Sequence, residues 1–381
     1  MMLGLQNSWR TRRLGDLLSY EQPGRYLVRS TNYARNGRYP VLTAGKTFVL
    51  GYTNETDGVY THHPVIIFDD FTTASKYVDF DFKVKSSAMK MLTARPGEAD
   101  LRFIYERMQF IRFPSLDHKR RWISEFSKLE VDVPSIDEQV YIGKVAEHLS
   151  TYIASLERLI TKKQAIKQGM MQELLTGKTR LPGFIGNRNW VPGTFEQLAS
   201  PVKDRTLPAQ VSPDTPLVEL DQIESATGRL LARSTVTSAT SLKTRFQVGD
   251  VLFGKLRAYL RKFWIADTSG LCTTEIWAFR SKPGVSAEFV RFIVETDGFI
   301  EIASGAYGTH MPRSDWGTVR RYEIAIPEPE EQIAIASVLM DADREIEVSR
   351  TRLAKARDIK QGMMQELLTG RTRLPVQEVV A

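Results

Sequence analysis

Cysteine, histidine and long apolar runs are scarce in this sequence. Cys272 is the single cysteine among 381 residues, so the chain can form neither an internal disulfide nor a zinc site built from several thiolates. No apolar run approaches the roughly 18 to 20 residues of a membrane span, and the start of the chain lacks the apolar segment of a signal peptide. We therefore expect a cytoplasmic protein that is neither secreted nor embedded in a membrane.

The composition is that of a folded protein with more than one domain. Hydrophobic residues make up 42% and charged residues 25% of the chain, which is far from the composition of disordered chains. At about 150 residues per domain, the length predicts two or three packed units. The formal net charge of +7 favours a polyanionic partner, and nucleic acid is the first candidate.

The signatures of several enzyme classes are missing or incomplete. Residues 40–47 miss a phosphate-binding loop by one residue, because Pro40 stands where the first glycine belongs and has no amide proton to donate. The chain has no Asn/Asp-Pro-Pro-Tyr/Phe tetrapeptide to orient an amino group for methyl transfer. His62 and His63 are neighbours, and neighbours on a strand point to opposite faces, so we expect no metal site there.

One set of charged residues has the order used by metal-dependent nucleases. Asp69, Asp81 and Lys83 give the acid, acid-x-lysine pattern that holds magnesium and positions a water. Charged and apolar residues alternate over 79–85, however, and a half-buried strand explains this spacing without a metal. We therefore predict no catalytic residues, no bound metal and no cofactor in this chain.

A duplicated segment is the strongest signal in the sequence. KQGMMQELLTGKTRLP at 167–182 recurs at 360–375 with fifteen of sixteen positions identical. The same offset of 193 aligns a Pro-x-x-x-Glu-Gln motif that begins at Pro134 with one that begins at Pro327. An ungapped repeat of this length predicts two equivalent structural units.

Each copy of the repeat predicts a long helix with one apolar stripe. In both copies apolar residues recur at the alternating spacing of four and three that is typical of a coiled-coil seam. The predicted stripe of the first helix is Val145, Leu149, Tyr152, Leu156, Leu159, Ile166 and Met170. The predicted stripe of the second helix is Ile335, Leu339, Ala342, Ile346, Leu353 and Ala356. Because neither helix is apolar all round, we expect the two to pair antiparallel.

Glycines mark both the interior and the end of each predicted helix. Gly177 and Gly370 stand where a left-handed C-terminal cap belongs, and a proline follows five residues later in each copy. Gly169 and Gly362 lie inside the helices, where they serve either close packing or bending.

The segments that precede the helices differ from each other and are predicted to be two variable domains. Strand-like alternation and turn residues dominate both. We predict an α+β, pseudo-twofold fold in which two globular mixed-sheet domains are separated by two long antiparallel helices that form a coiled coil. The predicted domains are 1–134 (first variable domain), 135–182 (first long helix), 183–327 (second variable domain) and 328–381 (second long helix and tail).

Basic and aromatic residues interleave in the second variable domain. A strand over 255–261 would place Lys255, Arg257, Tyr259 and Arg261 on one face and apolar residues on the other. Such a row of long donors suits the phosphates of a duplex. A solvated charged face is the alternative explanation.

A histidine with basic neighbours precedes each long helix at an equivalent place. His118 lies 16 residues before the first Pro-x-x-x-Glu-Gln motif, and His310 lies 17 before the second. Lys119, Arg120 and Arg313 lie beside them. Equivalent placement in otherwise dissimilar domains indicates a shared task, and phosphate or base contact fits these side chains. A core histidine is the alternative for either position.

Several of these motifs resemble the specificity subunit of type I restriction-modification enzymes. The resemblance rests on the duplicated QGMMQELLTG segment, the Pro-x-x-x-Glu-Gln motifs and GDVLFGKLR at 249–257, and it spans nearly the whole chain. The first domain is similar to the N-terminal target recognition domain of the type IC branch through YPVLTAGKT (39–47), IIFDDFTT (66–73) and KSSAMK (85–90). Ala258 departs from the family, in which many members have proline after the arginine.

The resemblance implies a DNA-recognition subunit with no catalytic activity of its own. In this family each target recognition domain binds one half of a split asymmetric DNA sequence, and the paired helices fix the unspecified spacer between the halves. The subunit recruits two modification (methyltransferase) subunits and, for cleavage, restriction subunits, to form a type I restriction endonuclease and adenine methyltransferase complex. S-adenosylmethionine, ATP and Mg²⁺ are then expected on those partners. A helix of about forty residues is about 60 Å long, which exceeds one turn of DNA, about 34 to 36 Å.

The expected contacts with double-stranded DNA come from both variable domains. Those of the first domain are Lys46, Lys76, Lys83, Lys90, His118, Lys119 and Arg120. Those of the second domain are Lys255, Arg257, Tyr259, Arg261, His310 and Arg313. Two other functions stay open at this point. One is a self-contained metal-dependent DNA nuclease or methyltransferase, and the other is a structural adaptor that joins proteins through its coiled coil.

Overall fold

A computed structural model describes residues 9–45, 47–113, 120–186, 188–236, 241–305 and 312–374. The chain divides into two compact units, unit 1 with Met1–Glu157 and Thr351–Ala381, and unit 2 with Arg158–Arg350. Each unit holds one variable domain together with part of each long helix. The units therefore divide the chain inside the helices, whereas the four predicted domains divide it at the helix ends.

Unit 1 is built from short strands, two short helices and the beginning of a long helix. Its strands are β1 (Arg10–Arg13), β2 (Leu18–Glu21), β3 (Tyr39–Leu42), β4 (Val49–Thr53), β5 (Val65–Asp69), β6 (Ser75–Val78), β7 (Lys83–Val84), β8 (Met89–Ala94) and β9 (Glu130–Val133). Its helices are α1 (Leu14–Leu17), α2 (Leu101–Gln109) and the first part of α3 (Ile136–Leu174), with 3-10 turns at Pro23–Tyr26 and Phe126–Lys128. An antiparallel sheet has the strand order β2-β8-β5-β6, a smaller mixed sheet has the order β4-β3-β7, and β1 pairs with β9.

The central strand β5 of unit 1 is buried on both faces. Ile66 and Phe68 pack in one apolar cluster with Phe103 of α2, whereas Val65 and Ile67 pack in a second cluster. Because successive side chains of a strand point to opposite faces, the sheet separates two cores. Long-helix residues complete the first core, namely Ile142, Ala146, Met364, Leu367 and Leu368.

Unit 2 repeats this plan with different strands. Its strands are β10 (Val191–Thr194), β11 (Ala199–Pro201), β12 (Arg205–Thr206), β13 (Pro216–Val218), β14 (Ser234–Thr235), β15 (Lys243–Phe246), β16 (Val251–Gly254), β17 (Phe263–Ile265), β18 (Gly270–Cys272), β19 (Ile276–Ser281) and β20 (Glu323–Ile326). Its helices are α4 (Phe195–Leu198), α5 (Ala287–Glu295), α6 (Asp297–Ser304), α7 (Trp316–Val319) and the first part of α8 (Pro329–Leu367), with 3-10 turns at Pro208–Gln210, Leu220–Gln222 and Ala258–Leu260. The sheets have the orders β11-β19-β16-β17 and β12-β15-β18-β13-β14, and β10 pairs with β20.

The strand β16 has in unit 2 the position that β5 has in unit 1. Val251 and Phe253 pack in one cluster with Phe289 of α5, and Leu252 packs in another with Trp264. Residues of both long helices complete the first of these clusters, namely Met171, Leu174, Leu175, Ile335 and Leu339. In each unit the helix pair thus forms one wall of the core of the variable domain.

Within each unit the two long helices run antiparallel, as predicted. In unit 1, side-chain contacts join Glu157 to Arg357, Ser150 to Lys360, and Glu138 to Arg373. In unit 2, they join Lys163 to Glu345, Lys167 to Asp343, and Arg180 to Glu331. Residue numbers fall along one helix as they rise along the other, which only an antiparallel pair allows.

The predicted glycine caps are confirmed in both copies. Gly177 and Gly370 have φ angles of +69° and +70°, in the left-handed region that glycine enters without steric cost. Trp190 packs on Gly177 and Trp9 packs on Gly370, and a Cβ on either glycine would lie 3.2 Å from the indole ring. Glycine is therefore required for its backbone angle and for the close approach of a tryptophan.

The glutamate of each Pro-x-x-x-Glu-Gln motif binds the end of the other long helix in its unit. Glu331 accepts hydrogen bonds from Arg180 Nε at 2.9 Å and from Trp190 Nε1 at 3.0 Å. Glu138 accepts two hydrogen bonds from Arg373, both at 2.6 Å. Both carboxylates are almost fully buried, and a bidentate arginine is the partner that such a carboxylate requires.

The glutamine of the motif holds a helix of the variable domain. Gln139 Oε1 accepts from the backbone N–H of Asp100, the N-cap of α2, at 3.0 Å. Gln332 Oε1 accepts from the backbone N–H of Ser286, the N-cap of α5, at 3.1 Å. Because both glutamines are buried and use the same atoms, the motif attaches each variable domain to the helix that follows it.

The seam of α8 follows the predicted stripe, whereas the seam of α3 is shifted. Ile335, Leu339, Ile346 and Ala356 are buried, and Ala342 and Leu353 are half-buried. In α3 three predicted seam residues are exposed, namely Tyr152, Leu159 and Ile166. The seam runs instead through Ala146, Ile153, Leu156, Ile160 and Lys167. The prediction for α3 was wrong, because the neighbouring apolar row forms the buried seam in place of the predicted one.

Candidate nucleic-acid interface

The basic segment after β16 is a tight turn, so the predicted strand over 255–261 is wrong. Ala258–Leu260 form a single 3-10 turn, flanked by Arg257 at φ +54° and Arg261 at φ +52°. These left-handed residues reverse the chain, so side chains two apart no longer share a face. The expected row of four long side chains is replaced by a turn with Tyr259, 55% exposed, in its middle.

Arg257 and Arg261 have different surroundings. Arg257 is exposed, and its backbone N–H donates to Pro312 O at 2.9 Å. Arg261 forms an ion pair with Asp297 and donates from Nη1 to Glu295 O at 3.2 Å. Arg257 is therefore placed to contact a ligand, whereas Arg261 holds the turn against α6.

Lys255 lies at the edge of a basic cavity in unit 2. The cavity has a volume of about 700 Å³. Its charged and aromatic walls are Glu196, Lys203, Arg205, Lys255, Lys282, Trp277 and Trp316. Lys255 Nζ is 5.8 Å from the centre of the Trp277 ring. Four cations against one carboxylate make the cavity attractive to an anion, and the tryptophans add faces on which a base or sugar can pack.

The electrostatic state of Lys255 reflects this excess of positive charge. Burial lowers the pKa of Lys255 below its usual value, and the positive charges of Arg205 and Arg313 lower it further. An approaching phosphate would relieve this repulsion. Arg313 is half exposed, and its ion pair with Glu275 is long, at 3.7 Å. We conclude that the cations around the cavity are short of negative partners.

The segment that contains His310 lies outside the described residues, but the chain that follows it is anchored at the cavity. Ser314 donates to Lys255 O from its backbone N–H at 2.8 Å and from its hydroxyl at 3.2 Å. Leu256 and Arg313 form a β-bridge. Residues that follow His310 in sequence are therefore held beside Lys255 and Arg257.

Unit 1 anchors the equivalent segment in an equivalent way. His118, Lys119 and Lys46 lie outside the described residues, and Arg120 is exposed. The Asp70 carboxylate accepts from the backbone N–H groups of the next two residues, 121 and 122, at 3.1 and 2.8 Å. Asp70 follows β5 directly, as Lys255 follows β16. Both units therefore attach the chain after the predicted histidine to the end of their central strand.

Two lysines predicted to contact DNA are buried instead. Lys83 is 1% exposed, pairs with Glu55 at 2.9 Å and donates to Asp57 O at 2.6 Å. Lys90 is also 1% exposed and pairs with Asp70 at 2.9 Å. This geometry contradicts the predicted DNA contact for both lysines, because their ammonium groups are buried and paired with carboxylates inside unit 1. Lys76 on β6 is half-buried.

Sequence reasoning missed several other basic residues and one tryptophan. In unit 1 exposed arginines occur before β3, at Arg25, Arg29, Arg35 and Arg38. In unit 2 the missed residues are Lys203, Arg205, Lys282 and Trp277. Lys203 and Arg205 lie in the basic segment PVKDR, and this segment could have indicated them. Trp277 and Lys282 lie far from it in sequence, and β19 brings them to the cavity.

Residues 6–168 match the family model of the type I restriction modification DNA specificity domain. This part of the chain is similar to the DNA specificity domain of type I restriction-modification systems. It includes all of the described candidate residues of unit 1, and it ends within α3, just after the first residues of the duplicated segment.

Curated relatives match part of the chain. It is 52% identical over 129 residues to the "Type I restriction enzyme EcoR124I/EcoR124II specificity subunit" of Escherichia coli, a match that covers 32% of each protein. It is 28% identical over 171 residues to the "Type I restriction enzyme EcoDI specificity subunit" of Escherichia coli, which covers 44% of this chain and 35% of the relative. The matches thus span about a third of the length of these relatives.

Solved structures resemble the chain over nearly its whole length. An S subunit of a type I restriction-modification system from M. genitalium has a TM-score of 0.64 at 14% identity and covers 96% of this chain and 98% of its own. A chain from a study of type I R-M complex assembly has a TM-score of 0.52 at 14% identity, covering 96% of this chain and 99% of its own. At this identity the likeness shows a shared fold, with the α+β class that the sequence predicts.

The carboxylates of the nuclease-like pattern have local roles in unit 1. Asp69 accepts from the backbone N–H groups of Phe71 and Thr72 at 3.0 and 2.8 Å, which closes the turn after β5. Asp81 lies 3.4 Å from His63. In the described part of the chain no cluster of three or more His, Cys, Asp or Glu side chains could hold a metal ion.

Among the helices of the described residues, none combines the length and the apolar character that a membrane span needs.

Proposed function

We propose that this chain is the DNA-recognition subunit of a type I restriction-modification complex. The match of residues 6–168 to the specificity-domain model carries the proposal. The names of the curated relatives and the basic cavity of unit 2 support it. Each variable domain would bind one half of a split asymmetric sequence in double-stranded DNA.

The chemistry of unit 2 suits a division between phosphate contacts and base contacts. Lys203, Arg205 and Lys255 surround the cavity and would bind phosphate oxygens, which position the domain but carry no sequence information. Arg257 and Tyr259 lie on an exposed turn that two left-handed residues hold in shape. A rigid turn can enter a groove without a large loss of conformational entropy, so we assign base contacts to it.

We assign methyl transfer and cleavage to partner subunits. S-adenosylmethionine, ATP and Mg²⁺ would be bound there, and this chain would supply the position on DNA. The relatives that carry the name "specificity subunit" support this assignment. The local hydrogen bonds of Asp69 also favour it over a nuclease built from Asp69 and Asp81.

Two equivalent surfaces on the long helices support binding of two modification subunits. Over 136–165 six of thirty positions match their equivalents at 329–358, and Lys162 is the one exposed residue among the six. From Ile166 onward exposed residues are duplicated too, and Gly169 has no atom within 4 Å of the position of a Cβ. Packing inside the chain does not explain identical exposed residues, whereas contact with two copies of one partner does.

A binding titration tests the proposal. The chain is produced together with modification subunits, and adenine methylation is mapped in the DNA of the producing cells to define the target. Lys255→Ala and Arg205→Ala are each expected to weaken binding to all sequences and to reduce the salt slope of log K by about 1. Arg257→Ala is expected to relax specificity at one position, at a cost of about 1–3 kcal/mol. Lys144→Ala is the control, since Lys144 is exposed on α3 outside the interface and is not duplicated in α8.

Three outcomes would contradict the proposal. One is the absence of DNA affinity in the assembled complex, which would favour the coiled-coil adaptor. Another is cleavage or methylation of DNA by the purified chain alone, with Mg²⁺ or a methyl donor. The third is parental binding by all three interface variants across a range of salt, which would remove the cavity and the turn from the interface.

A further inference from the structure

A closed ring of four charged side chains occurs in unit 2, with three of them buried and the fourth, Asp343, 28% exposed. Lys167 Nζ lies 2.6 Å from Glu295 Oε1 and 2.7 Å from Asp343 Oδ1. Arg291 Nη1 lies 2.6 Å from Asp343 Oδ2 and 3.4 Å from Glu295 Oε2. Each cation therefore contacts both carboxylates. The side chains of Lys167 and Arg291 are each 9% exposed, and that of Glu295 is 11% exposed.

The ring joins three elements of unit 2. Lys167 belongs to α3, Asp343 to α8, and Arg291 and Glu295 to α5 of the variable domain. The Arg291 guanidinium also lies over the Phe292 ring, 4.2 Å from its centre. The ring thus connects the variable domain to both long helices at one point.

Unit 1 contains a similar group, in which a serine replaces one carboxylate and the arginine and glutamate of α2 lie nearer to the N-cap than those of α5. Lys360, the equivalent of Lys167, lies 3.0 Å from Glu106 Oε1 and 3.0 Å from Ser150 Oγ. Arg102 of α2 donates to the same two residues, to Glu106 at 3.0 Å and to Ser150 at 2.6 Å. Ser150 takes the place of Asp343, with which it aligns at the offset of 193. Two variable domains with little sequence in common therefore share this connection.

The energetics of buried ion pairs indicate that the ring fixes the position of the helices more than it stabilises the fold. Lys167 and Lys360 occupy seam positions at which an apolar side chain would pack without desolvating a charge. Replacing a buried ion pair by apolar residues is often neutral or stabilising, and polar residues in a seam are best attested as devices that fix register. An apolar seam tolerates sliding by one helical turn, whereas a lysine that must meet two fixed partners does not.

We propose that Lys167 and Lys360 are positioning residues that fix where each variable-domain helix sits along the long helices. This inference rests on the proposed function, because the consequence is the spacing of DNA half-sites that the chain accepts. One helical turn is about 5.4 Å, and one base pair adds about 3.4 Å to DNA. A slip of a single turn in either unit would therefore exceed the length of one base pair.

The first experiment measures spacing preference. The complex with modification subunits is titrated with duplexes that carry both half-sites at the mapped spacing, or with one base pair added or removed. The parent is expected to lose about tenfold or more in affinity for the altered spacings, the scale of one mismatched contact. Lys167→Met and Lys360→Met are expected to reduce this preference to about threefold or less. Lys144→Met, at an exposed position of α3 that is not duplicated in α8, is expected to retain it.

The second experiment does not depend on DNA. Amide hydrogen exchange of α5 is compared between the parent, Lys167→Met and Lys144→Met. Faster exchange in α5 is expected only in Lys167→Met. Lys167→Arg keeps a cation in the ring and is expected to restore both protection and spacing preference, even if the methionine variant folds poorly. Asp343→Ser copies the composition of the unit 1 ring and is expected to keep the parental preference.

Specific results would overturn the inference. One is that Lys167→Met keeps the parental spacing preference and the parental rate of exchange in α5. The other is that Asp343→Ser loses as much spacing preference as Lys167→Met, which would indicate that the core is sensitive to any substitution. If the parent itself shows no preference for a two-part site, the proposed function fails. The exchange experiment still decides whether the ring holds α5.

Discussion

Replacing Lys90 distinguishes a structural lysine from a DNA-binding one. Lys90 lies on the central sheet of unit 1, where its ammonium group is 2.9 Å from Asp70 and donates to Gln22 Oε1 at 3.1 Å. Both charged side chains are buried, at 1% and 2% exposure. Lys90→Met leaves the Asp70 carboxylate without a cation, and breaking a buried pair in this way costs about 3–5 kcal/mol.

The expected change in thermal stability follows from this cost. In a domain of 150–250 residues about 1 kcal/mol shifts Tm by roughly 2–4 °C, so Lys90→Met should lower the Tm of unit 1 by about 6–20 °C. Differential scanning calorimetry measures the shift. The double variant Asp70→Asn/Lys90→Met should recover part of it, because asparagine still accepts the backbone N–H groups of 121 and 122.

Lys76→Met is the matched control for Lys90→Met. Lys76 lies on β6 of the same sheet and is half-buried, so its replacement should change stability by no more than about 0.5 kcal/mol. At a temperature where both variants are folded, Lys76→Met should weaken DNA binding and Lys90→Met should not. An unchanged Tm in Lys90→Met, or a loss of affinity in the folded protein, would refute the assignment of Lys90 to the core.

Three further predictions concern a glycine, a titrating lysine and the duplicated helix surface. Gly228→Ala should destabilise unit 2 in urea unfolding by clearly more than Gly249→Ala. Both glycines have positive φ, which costs about 1–2 kcal/mol for alanine, but only at Gly228 would the Cβ lie 2.6 Å from Arg291 Nη2. Because burial and neighbouring arginines lower the pKa of Lys255 below 10.5, the unfolded chain binds the proton more tightly than the folded one. The free energy of unfolding should therefore rise with pH between the lowered pKa and 10.5, and Lys255→Met should abolish this rise in a pH series of urea titrations. Gly169→Leu should leave Tm unchanged or raised, since open space surrounds the residue, yet weaken capture of modification subunits in a co-purification assay; undiminished capture would argue against that surface.

The long helices could be predicted from the sequence because several signals agree there. The repeat predicted two equivalent helices, and each has 39 residues in the structure. Gly177 and Gly370 marked the ends through a requirement for positive φ that few residues other than glycine meet. Where backbone chemistry and apolar periodicity point to the same boundary, sequence reasoning is reliable.

The register of α3 could not be predicted because two neighbouring rows are both apolar. Leu159 and Ile160 are adjacent, and so are Tyr152 and Ile153, so periodicity fits either row. The buried row contains Lys167, and the predicted row contains Lys163, so a lysine interrupts both and does not distinguish them. Glu295 and Asp343, the partners of Lys167, are far away in sequence, and a pattern search along one helix cannot detect them.

The candidate interface was harder to predict than the fold. Charge alone does not distinguish Lys83 and Lys90, which are buried in ion pairs, from Lys255, which borders a cavity. The turn at Arg257 and Arg261 has left-handed residues without the glycine or asparagine that would signal it. Tertiary contacts with the 312–314 segment hold this turn, and they are not visible in a local pattern.

The position of the last turns of α8 has a consequence for synthesis of the protein. Met364, Leu367 and Leu368 belong to the same core as Leu14 and Phe68, and Gly370 packs against Trp9. The ribosome makes these residues after all of unit 2. Unit 1, most of which is translated before unit 2, therefore acquires its complete core after unit 2, and a stop codon shortly before Met364 would damage unit 1 more than unit 2.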